Sequence, residues 1–249
     1  MALTIYYIMN YHDILKINID ILISDNNNEF NGLMILGRQG IGKTYTVTNY
    51  LKEQNIKYLL LRGHNSPQQF YGYLYFINHK NVNYYNGKYI LILDDMDSLV
   101  NNKTISAILK TILDTTKPRI VEWRSRTKPK FIYNGEFINI PQSFEFNTKV
   151  IIILNDIPKD LLPIKDRCLR VEYNPKNYEI LSIAKEFIDN DVIEFVKLYI
   201  DNNDNDLTFR TLKLIELCKK IKTDQWKDIA GEILKSKTSK VIKELERLI

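Results

Sequence analysis

Short apolar runs alternate with amphipathic segments along the first 174 residues of the chain. The runs contain almost no polar residues, which is typical of strands buried on both faces of a parallel sheet. They are Leu33–Leu36, Ile56–Leu61, Tyr89–Leu93 and Val150–Leu154. Between them, segments such as Thr44–Gln54 and Asn101–Asp114 repeat apolar side chains at helical spacing. This alternation predicts an α/β domain with a parallel sheet over residues 1–174.

The pattern becomes wholly helical after Asn174-Pro175, which we take as the domain boundary. Trp226, Ile229, Ala230, Ile233 and Leu234 lie on one helical face, and Val241–Ile249 contains a second face of this kind. Residues 175–249 are therefore predicted to form a small all-α domain.

A group of short strand-like runs interrupts the α/β pattern between residues 117 and 140. Arg119–Arg124, Lys130–Tyr133 and Glu136–Ile140 are such runs, and Asn134-Gly135 separates the last two. Asn-Gly is a strong signal for a two-residue hairpin turn. We therefore expect a β-hairpin insertion, or β-ribbon, over about 117–140.

Composition excludes few function classes. The 249 residues carry a formal net charge of +5, which only mildly favours acidic partners such as nucleic acid. Cys168, Cys218 and the scattered histidines match no metal or redox spacing, so neither a disulfide nor structural zinc is expected. No apolar run is long enough to span a bilayer and the first residues lack a secretory pattern, so we expect a cytoplasmic protein without a membrane partner.

The strongest chemical signal is Gly37-Arg-Gln-Gly-Ile-Gly-Lys-Thr44, which fits the phosphate-loop pattern G-x-x-x-x-G-K-[ST]. A strand precedes it and a helix follows it, as that loop requires. Backbone N–H groups are predicted to cradle a triphosphate, Lys43 to reach its β and γ phosphates, and Thr44 to ligate Mg²⁺. The predicted nucleotide-binding residues are Gly37, Arg38, Gln39, Gly40, Ile41, Gly42, Lys43, Thr44 and Tyr45.

A second signal is the apolar strand that ends in Asp94-Asp95. In phosphate-loop enzymes, one acidic residue after such a strand holds Mg²⁺ and a neighbouring residue positions the attacking water. We assign Asp94 to the metal and Asp95 to the water. A solvated acidic turn that also holds Asp97 is the alternative.

The ribbon segment contains the densest positive charge in the chain. Over residues 117–130 its basic residues are Lys117, Arg119, Arg124, Arg126, Lys128 and Lys130, against the single acid Glu122. With Trp123 among them, they favour phosphate contacts and base stacking, and the nucleic-acid candidates are Arg124, Arg126, Lys128 and Lys130. A solvated hairpin whose charges prevent edge-to-edge aggregation is equally compatible with the sequence.

This order of motifs resembles the AAA+ ATPases, and more narrowly small phage and viral members that act on DNA. Gly37–Thr44 looks like Walker A and Leu91–Asp95 like Walker B. The resemblance implies ATP and Mg²⁺ as cofactors, a helical lid, and a ring, taken as a hexamer, with ATP between subunits.

The same resemblance assigns further roles. Asn155 looks like sensor 1, Arg167 like the arginine finger that reaches the neighbouring subunit, and Arg210 like the sensor 2 arginine of the lid. Asn65 lies where some members place a polar residue that restrains the Walker B acid. Walker B usually ends in Asp-Glu, so Asp95 is a departure that predicts slow hydrolysis.

Three functions follow as hypotheses. The first is a ring-forming ATPase that acts on DNA as a loader, remodeller or motor in replication, recombination or packaging. The second is a protein-remodelling ATPase, because Phe70-Tyr71-Gly72 resembles a pore loop, although its helical spacing favours core packing. The third is a nucleotide-gated scaffold with little hydrolysis.

Overall fold

The computed structural model describes residues 9–24, 29–83, 89–95, 102–125, 127–133, 135–200, 207–222 and 224–235. Contacts divide the chain into two compact units. The larger contains residues 12–37 and 43–173, and the smaller contains residues 9–11, 38–42 and those from Asn174 onward. No helix in the described ranges is both long and apolar enough to cross a bilayer.

The larger unit is built on a parallel sheet, which confirms the predicted α/β class. Within the described residues its strands are β1 (Gly32–Leu36), β2 (Lys57–Arg62), β3 (Tyr89–Asp94), β8 (Lys149–Leu154) and β9 (Leu169–Glu172). Their order is β2-β3-β8-β1-β9, and every neighbouring pair is parallel. Strand β8 therefore lies at the centre, between β3 and β1.

The described residues before Asn174 form the helices α1 (Tyr11–Ser24), α2 (Lys43–Glu53), α3 (Pro67–Asn83) and α4 (Lys103–Ile112), with a 3-10 helix at Lys159–Arg167. Two of these helices, α2 and α4, lie where the apolar spacing predicts them. Asn102 caps α4, because its side-chain oxygen accepts N–H bonds from Thr104 (3.0 Å) and Ile105 (3.3 Å).

The predicted ribbon consists of two small antiparallel sheets. The hairpin β5 (Lys130–Tyr133) and β6 (Glu136–Asn139) has Gly135 in its turn at φ 84°. Strand β4 (Ile120–Glu122) pairs instead with β7 (Ser143–Glu145), which the sequence pattern did not predict as a strand. The interpretation as a single ribbon over 117–140 is therefore too simple, because the hairpin is nested inside a second strand pair.

Helix α3 packs against these small sheets through its apolar face. Phe70 and Tyr71 are fully buried, and the Tyr71 hydroxyl donates to the Pro141 carbonyl oxygen (2.9 Å). A Cβ on Gly72 would lie 2.1 Å from Phe131, so only glycine allows this close approach. The segment Phe70–Gly72 is therefore core, as its helical spacing favoured, and does not form an exposed loop.

The smaller unit is helical in its described part. Its helices are α5 (Asn177–Ala184), α6 (Asn190–Ile200), α7 (Phe209–Ile221) and α8 (Trp226–Lys235). Their buried faces contain Ile180, Val192, Val196, Leu212, Ile215, Trp226, Ala230 and Ile233. This helical region fits the predicted all-α lid, whereas the expected amphipathic face at 241–249 lies outside the described residues.

Candidate nucleotide site

The predicted nucleotide residues follow the ends of adjacent strands. The first residue of the phosphate loop, Gly37, follows β1, Asn155 follows β8, and Asp94 ends β3. Because these strands are parallel neighbours, their carboxyl ends lie at one edge of the sheet. Ligands of open α/β sheets bind outside this edge. The topology thus brings together residues that are more than 100 positions apart in sequence.

Lys43 is held at the centre of this edge. Its side chain is almost fully buried, and Nζ donates to the carbonyl oxygen of Gly37 and to Oδ1 of Asn155 (3.0 Å). A buried ammonium group requires such oxygen partners, since desolvation is costly. Lys43 and Asn155 are thus placed side by side, as their predicted roles around the γ phosphate require.

Thr44 and Asp94 form the candidate metal site. Thr44 Oγ1 donates to Asp94 Oδ2 (2.9 Å), and Asp94 is only 5% exposed. Groups of three or more acidic, histidine or cysteine side chains that could hold a metal do not occur among the described residues. A hydroxyl and one carboxylate nevertheless suit Mg²⁺, which takes its other ligands from water and substrate phosphates.

Arg62 is a site residue that the sequence reasoning missed. It ends β2 directly opposite Asp94 in the β2–β3 register, and its Nε lies 2.9 Å from Asp94 Oδ2. Arg62 lies three positions before Asn65, whose predicted restraint of the acid stays a prediction. The sequence shows only that a basic residue ends an apolar strand. The strand register is needed to show that this residue lies opposite Asp94.

Asp95 differs sharply from its neighbour Asp94. It lies just beyond β3, is exposed, and has a left-handed backbone with φ 54°. Aspartate tolerates this conformation better than most residues. Its assignment to the attacking water stays a prediction, and Asp97 lies outside the described residues.

The tip of the phosphate loop, residues 38–42, groups with the helical unit. Arg38 donates to the carbonyl oxygen of Leu207 (3.2 Å), and the N–H of Phe209 donates to the Gly40 carbonyl oxygen (2.8 Å). Arg210 follows Phe209 in the first turn of α7 and is exposed. Its sensor role stays a prediction, as do the contacts of the exposed Gln39 and Tyr45 with nucleotide.

Gly40 and Gly42 both have a positive φ, at 77° and 86°. A Cβ on Gly42 would lie 2.4 Å from the Phe209 ring, so glycine is required here by both conformation and space. Ile41 is buried between them. The loop therefore has the positive-φ glycines that a phosphate nest needs.

Arg167 is partly exposed at the end of the 3-10 helix. It donates from Nη1 to Asp114 Oδ2 (3.0 Å) and to the Lys110 carbonyl oxygen (3.4 Å) at the end of α4. The backbone N–H of Thr116, followed by Arg167, lowers the pKa of Asp114. The Arg167 guanidinium is thus held by Asp114 and the Lys110 carbonyl oxygen. Its action on a neighbouring subunit stays a prediction.

Two residues of the basic segment differ from the prediction of an open basic surface for nucleic acid. Arg119 is only 2% exposed; it donates to the Ile112 carbonyl oxygen (2.5 Å) and stacks on Phe146, and burial lowers its pKa to about 10. It supports the end of α4 and is not available to a nucleic acid. Trp123 is half-buried against Tyr71, and its indole N–H donates to the Thr127 carbonyl oxygen (3.1 Å), so it is not an open stacking platform.

The nucleic-acid candidates of this segment are otherwise on the surface. Arg124, Lys128 and Lys130 are exposed, and Arg124 pairs with Glu122 (3.0 Å). Arg126 lies outside the described residues. These positions remain predictions.

Two solved structures share the fold over nearly the whole length of this chain. A structure described as a DNA replication initiation factor is 18% identical, with a TM-score of 0.50, and the match covers 97% of this chain and 66% of the other. A variant of RuvB from Thermotoga maritima is 10% identical, with a TM-score of 0.51, and covers 96% and 71% respectively. Both structures have the AAA+ fold. The chain has the AAA+ fold. At these identities the likeness concerns the AAA+ fold alone.

A sequence relative points to phages. An uncharacterised 36.7 kDa protein of Enterobacteria phage T4, from the nrdC-mobD intergenic region, is 31% identical over 140 residues. The match covers 54% of this chain and 39% of the phage protein. No protein-family model matches the chain. The phage relative agrees with the predicted likeness of the chain to phage proteins.

Proposed function

We propose that the protein is a Mg²⁺-dependent ATPase of the AAA+ type that acts on DNA as a ring-forming loader, remodeller or motor. The observation that carries the ATPase is the meeting of Lys43, Thr44, Asp94 and Asn155 at one sheet edge, with hydrogen bonds of 2.9–3.0 Å. These are the residue types that hold phosphates, Mg²⁺ and an attacking water in phosphate-loop enzymes.

Each residue has a role in this proposal. The loop N–H groups and Lys43 bind the phosphates, while Thr44 and Asp94 hold Mg²⁺, which neutralises phosphate charge when bound. Asp95 accepts the proton of the attacking water, and Asn155 orients that water. The hydrogen bond from Lys43 Nζ to Asn155 Oδ1 supports a joint action of the two groups at the γ phosphate.

Arg167 and Arg210 are proposed to complete the site from outside this cluster. Arg167 is partly exposed and held by Asp114, so it is preorganised to meet phosphate charge on an adjoining subunit. If Arg167 acts across subunits, the subunits must assemble, and we propose a hexameric ring. Arg210 follows the residue that bonds Gly40, so it is proposed to sense nucleotide from the helical unit.

DNA is the proposed client for two reasons. Arg124, Lys128 and Lys130 are exposed on one insertion, and Lys103 and Arg124 line an open groove of about 580 Å³ with Trp123. Contacts of this type to phosphates are sequence-independent and salt-sensitive. One structural neighbour is itself described as a DNA replication initiation factor.

The alternative of a protein client loses its main support, because Phe70 and Tyr71 are buried. The alternative of a scaffold with little hydrolysis rests on Asp95, whose side chain is one methylene shorter than glutamate. A misplacement of about 1 Å in a catalytic site reduces the rate by about 100-fold.

The deciding experiment is steady-state ATP hydrolysis with no DNA, single-stranded DNA and duplex DNA, at low and moderate salt. We expect turnover that requires Mg²⁺, that DNA stimulates, and whose stimulation weakens as salt rises. The variant Lys43→Ala should abolish it. Size measured by light scattering with and without a non-hydrolysable ATP analogue tests the ring.

A matched pair of variants tests the DNA surface. Lys128→Gln with Lys130→Gln should weaken DNA binding and reduce its salt slope by about 1 to 2, since each phosphate contact contributes about 0.9. Lys185→Gln with Lys197→Gln removes the same charge from exposed positions of the helical unit and should leave binding unchanged. Equal effects of both pairs would contradict a specific DNA surface, and DNA-independent turnover would contradict the DNA client.

A further inference from the structure

Arg62 places a permanent positive charge on the candidate metal ligand. Its backbone position is fixed, because Arg62 pairs with Asp94 across the β2–β3 register. Its Nε lies 2.9 Å from Asp94 Oδ2. A guanidinium is a cationic donor that suits a carboxylate, so this contact is an ion pair.

The same carboxylate oxygen has two hydrogen-bond donors. Asp94 Oδ2 accepts from Arg62 Nε and from Thr44 Oγ1, each at 2.9 Å. A magnesium ion held by Thr44 and Asp94 would share this carboxylate with the guanidinium. Two cations at one carboxylate repel each other, so the guanidinium and the metal would compete.

The two partners differ in their freedom to move. The Asp94 side chain is only 7% exposed and lies within the sheet, whereas that of Arg62 is 56% exposed at the end of its strand. Gly63, the next residue, has open space around the position of a Cβ. Arg62 therefore has a path into solvent, and Asp94 does not.

We propose that Arg62 is a built-in competitor of Mg²⁺: it neutralises Asp94 in the metal-free protein and is displaced when Mg²⁺ binds. It thereby sets the Mg²⁺ concentration at which the nucleotide site is loaded. This inference rests on the proposed function, because Thr44 and Asp94 must hold the metal. Half-exposed ion pairs are weak, so the expected effect of Arg62 on Mg²⁺ affinity is at most about fivefold.

The test is a Mg²⁺ titration at low salt with a fluorescent, non-hydrolysable ATP analogue, which reports binding without turnover. Arg62→Gln and Arg62→Met both remove the charge, and either can serve if the other folds poorly. Both should lower the half-saturating Mg²⁺ concentration by about threefold to fivefold. Direct Mn²⁺ binding followed by electron paramagnetic resonance should show the same shift.

Two controls define the result. Arg170→Gln removes an exposed arginine of β9 and should leave the Mg²⁺ titration unchanged. The shift caused by Arg62→Gln should shrink at moderate salt, because exposed charges are screened. An unchanged or raised half-saturating Mg²⁺ concentration in both Arg62 variants would overturn the inference, as would an equal shift in Arg170→Gln. If the wild-type protein binds the analogue without any Mg²⁺ dependence, the proposed metal site itself fails.

Discussion

Replacing Tyr71 with alanine separates the core interpretation of Phe70–Gly72 from that of a client-binding loop. Tyr71 is fully buried, its ring lies 5.4 Å from that of Trp123 and 5.2 Å from that of Phe144, and its hydroxyl bonds Pro141. Truncating a buried aromatic side chain costs about 3–5 kcal/mol. Leaving the Pro141 carbonyl unpaired adds about 1 kcal/mol. The Ala variant should therefore lose most of the stability of a marginal domain.

The assay is urea unfolding followed by circular dichroism, with two matched variants. Tyr71→Phe keeps the ring and removes only the hydroxyl, so it should cost about 1 kcal/mol. Tyr178→Ala truncates a tyrosine that is 64% exposed and should change the free energy of unfolding by no more than about 0.5 kcal/mol. If Tyr71→Ala is as stable as Tyr178→Ala but loses activity on a protein client, Tyr71 is accessible and the core interpretation is wrong.

Three further predictions concern the site and the pH dependence. Asp95→Asn should retain ATP binding and lose turnover; unchanged turnover would assign the water to another base. Gly42→Ala should weaken binding of the ATP analogue at least tenfold, since its Cβ would meet Phe209 at 2.4 Å, whereas Gly135→Ala, also at positive φ but in open space, should leave that binding unchanged. Burial, and secondarily Glu122, raises the pKa of Tyr71 to about 12 against about 10 unfolded, so its stabilising contribution is lost as pH rises from about 10 to 12. Tyr71→Phe should lack that part of the decline, and an equal decline in both proteins would refute it.

The elements that the sequence predicts well are those with a local cause. Strand β1, the phosphate loop and helix α2 occupy a continuous stretch, and each follows from residues within that stretch. The Asn134-Gly135 pair predicts its hairpin in the same way, because Gly135 supplies a positive φ. Local pattern was therefore sufficient for the fold class and for the α/β order of the chain.

The contacts that the sequence could not supply join distant segments. The pair of Arg62 with Asp94 depends on strand register, and the pair of β4 with β7 encloses a hairpin between its strands. The basic neighbours of Arg119 in sequence predict a surface charge. Its guanidinium instead donates to the Ile112 carbonyl oxygen at the end of α4 and stacks on Phe146. A count of charges along the chain cannot distinguish a solvated arginine from a buried one that bonds the last carbonyl oxygen of a helix.

One residue step separates the two chemical tasks that we propose for Asp94 and Asp95. Asp94 is still in strand β3, so its side chain is buried and fixed between Thr44 and Arg62, where a metal ligand must be rigid. Asp95 has left the strand with φ 54° and faces solvent, where a group that exchanges protons with water must be. In the proposed site the turn, rather than the identity of the acid, distinguishes the two roles, because both side chains are aspartate. A glutamate at position 95 would extend the reach of the carboxylate without changing this division, so Asp95→Glu should raise turnover and leave Mg²⁺ affinity unchanged. A change in Mg²⁺ affinity alone would show that Asp95 shares the metal.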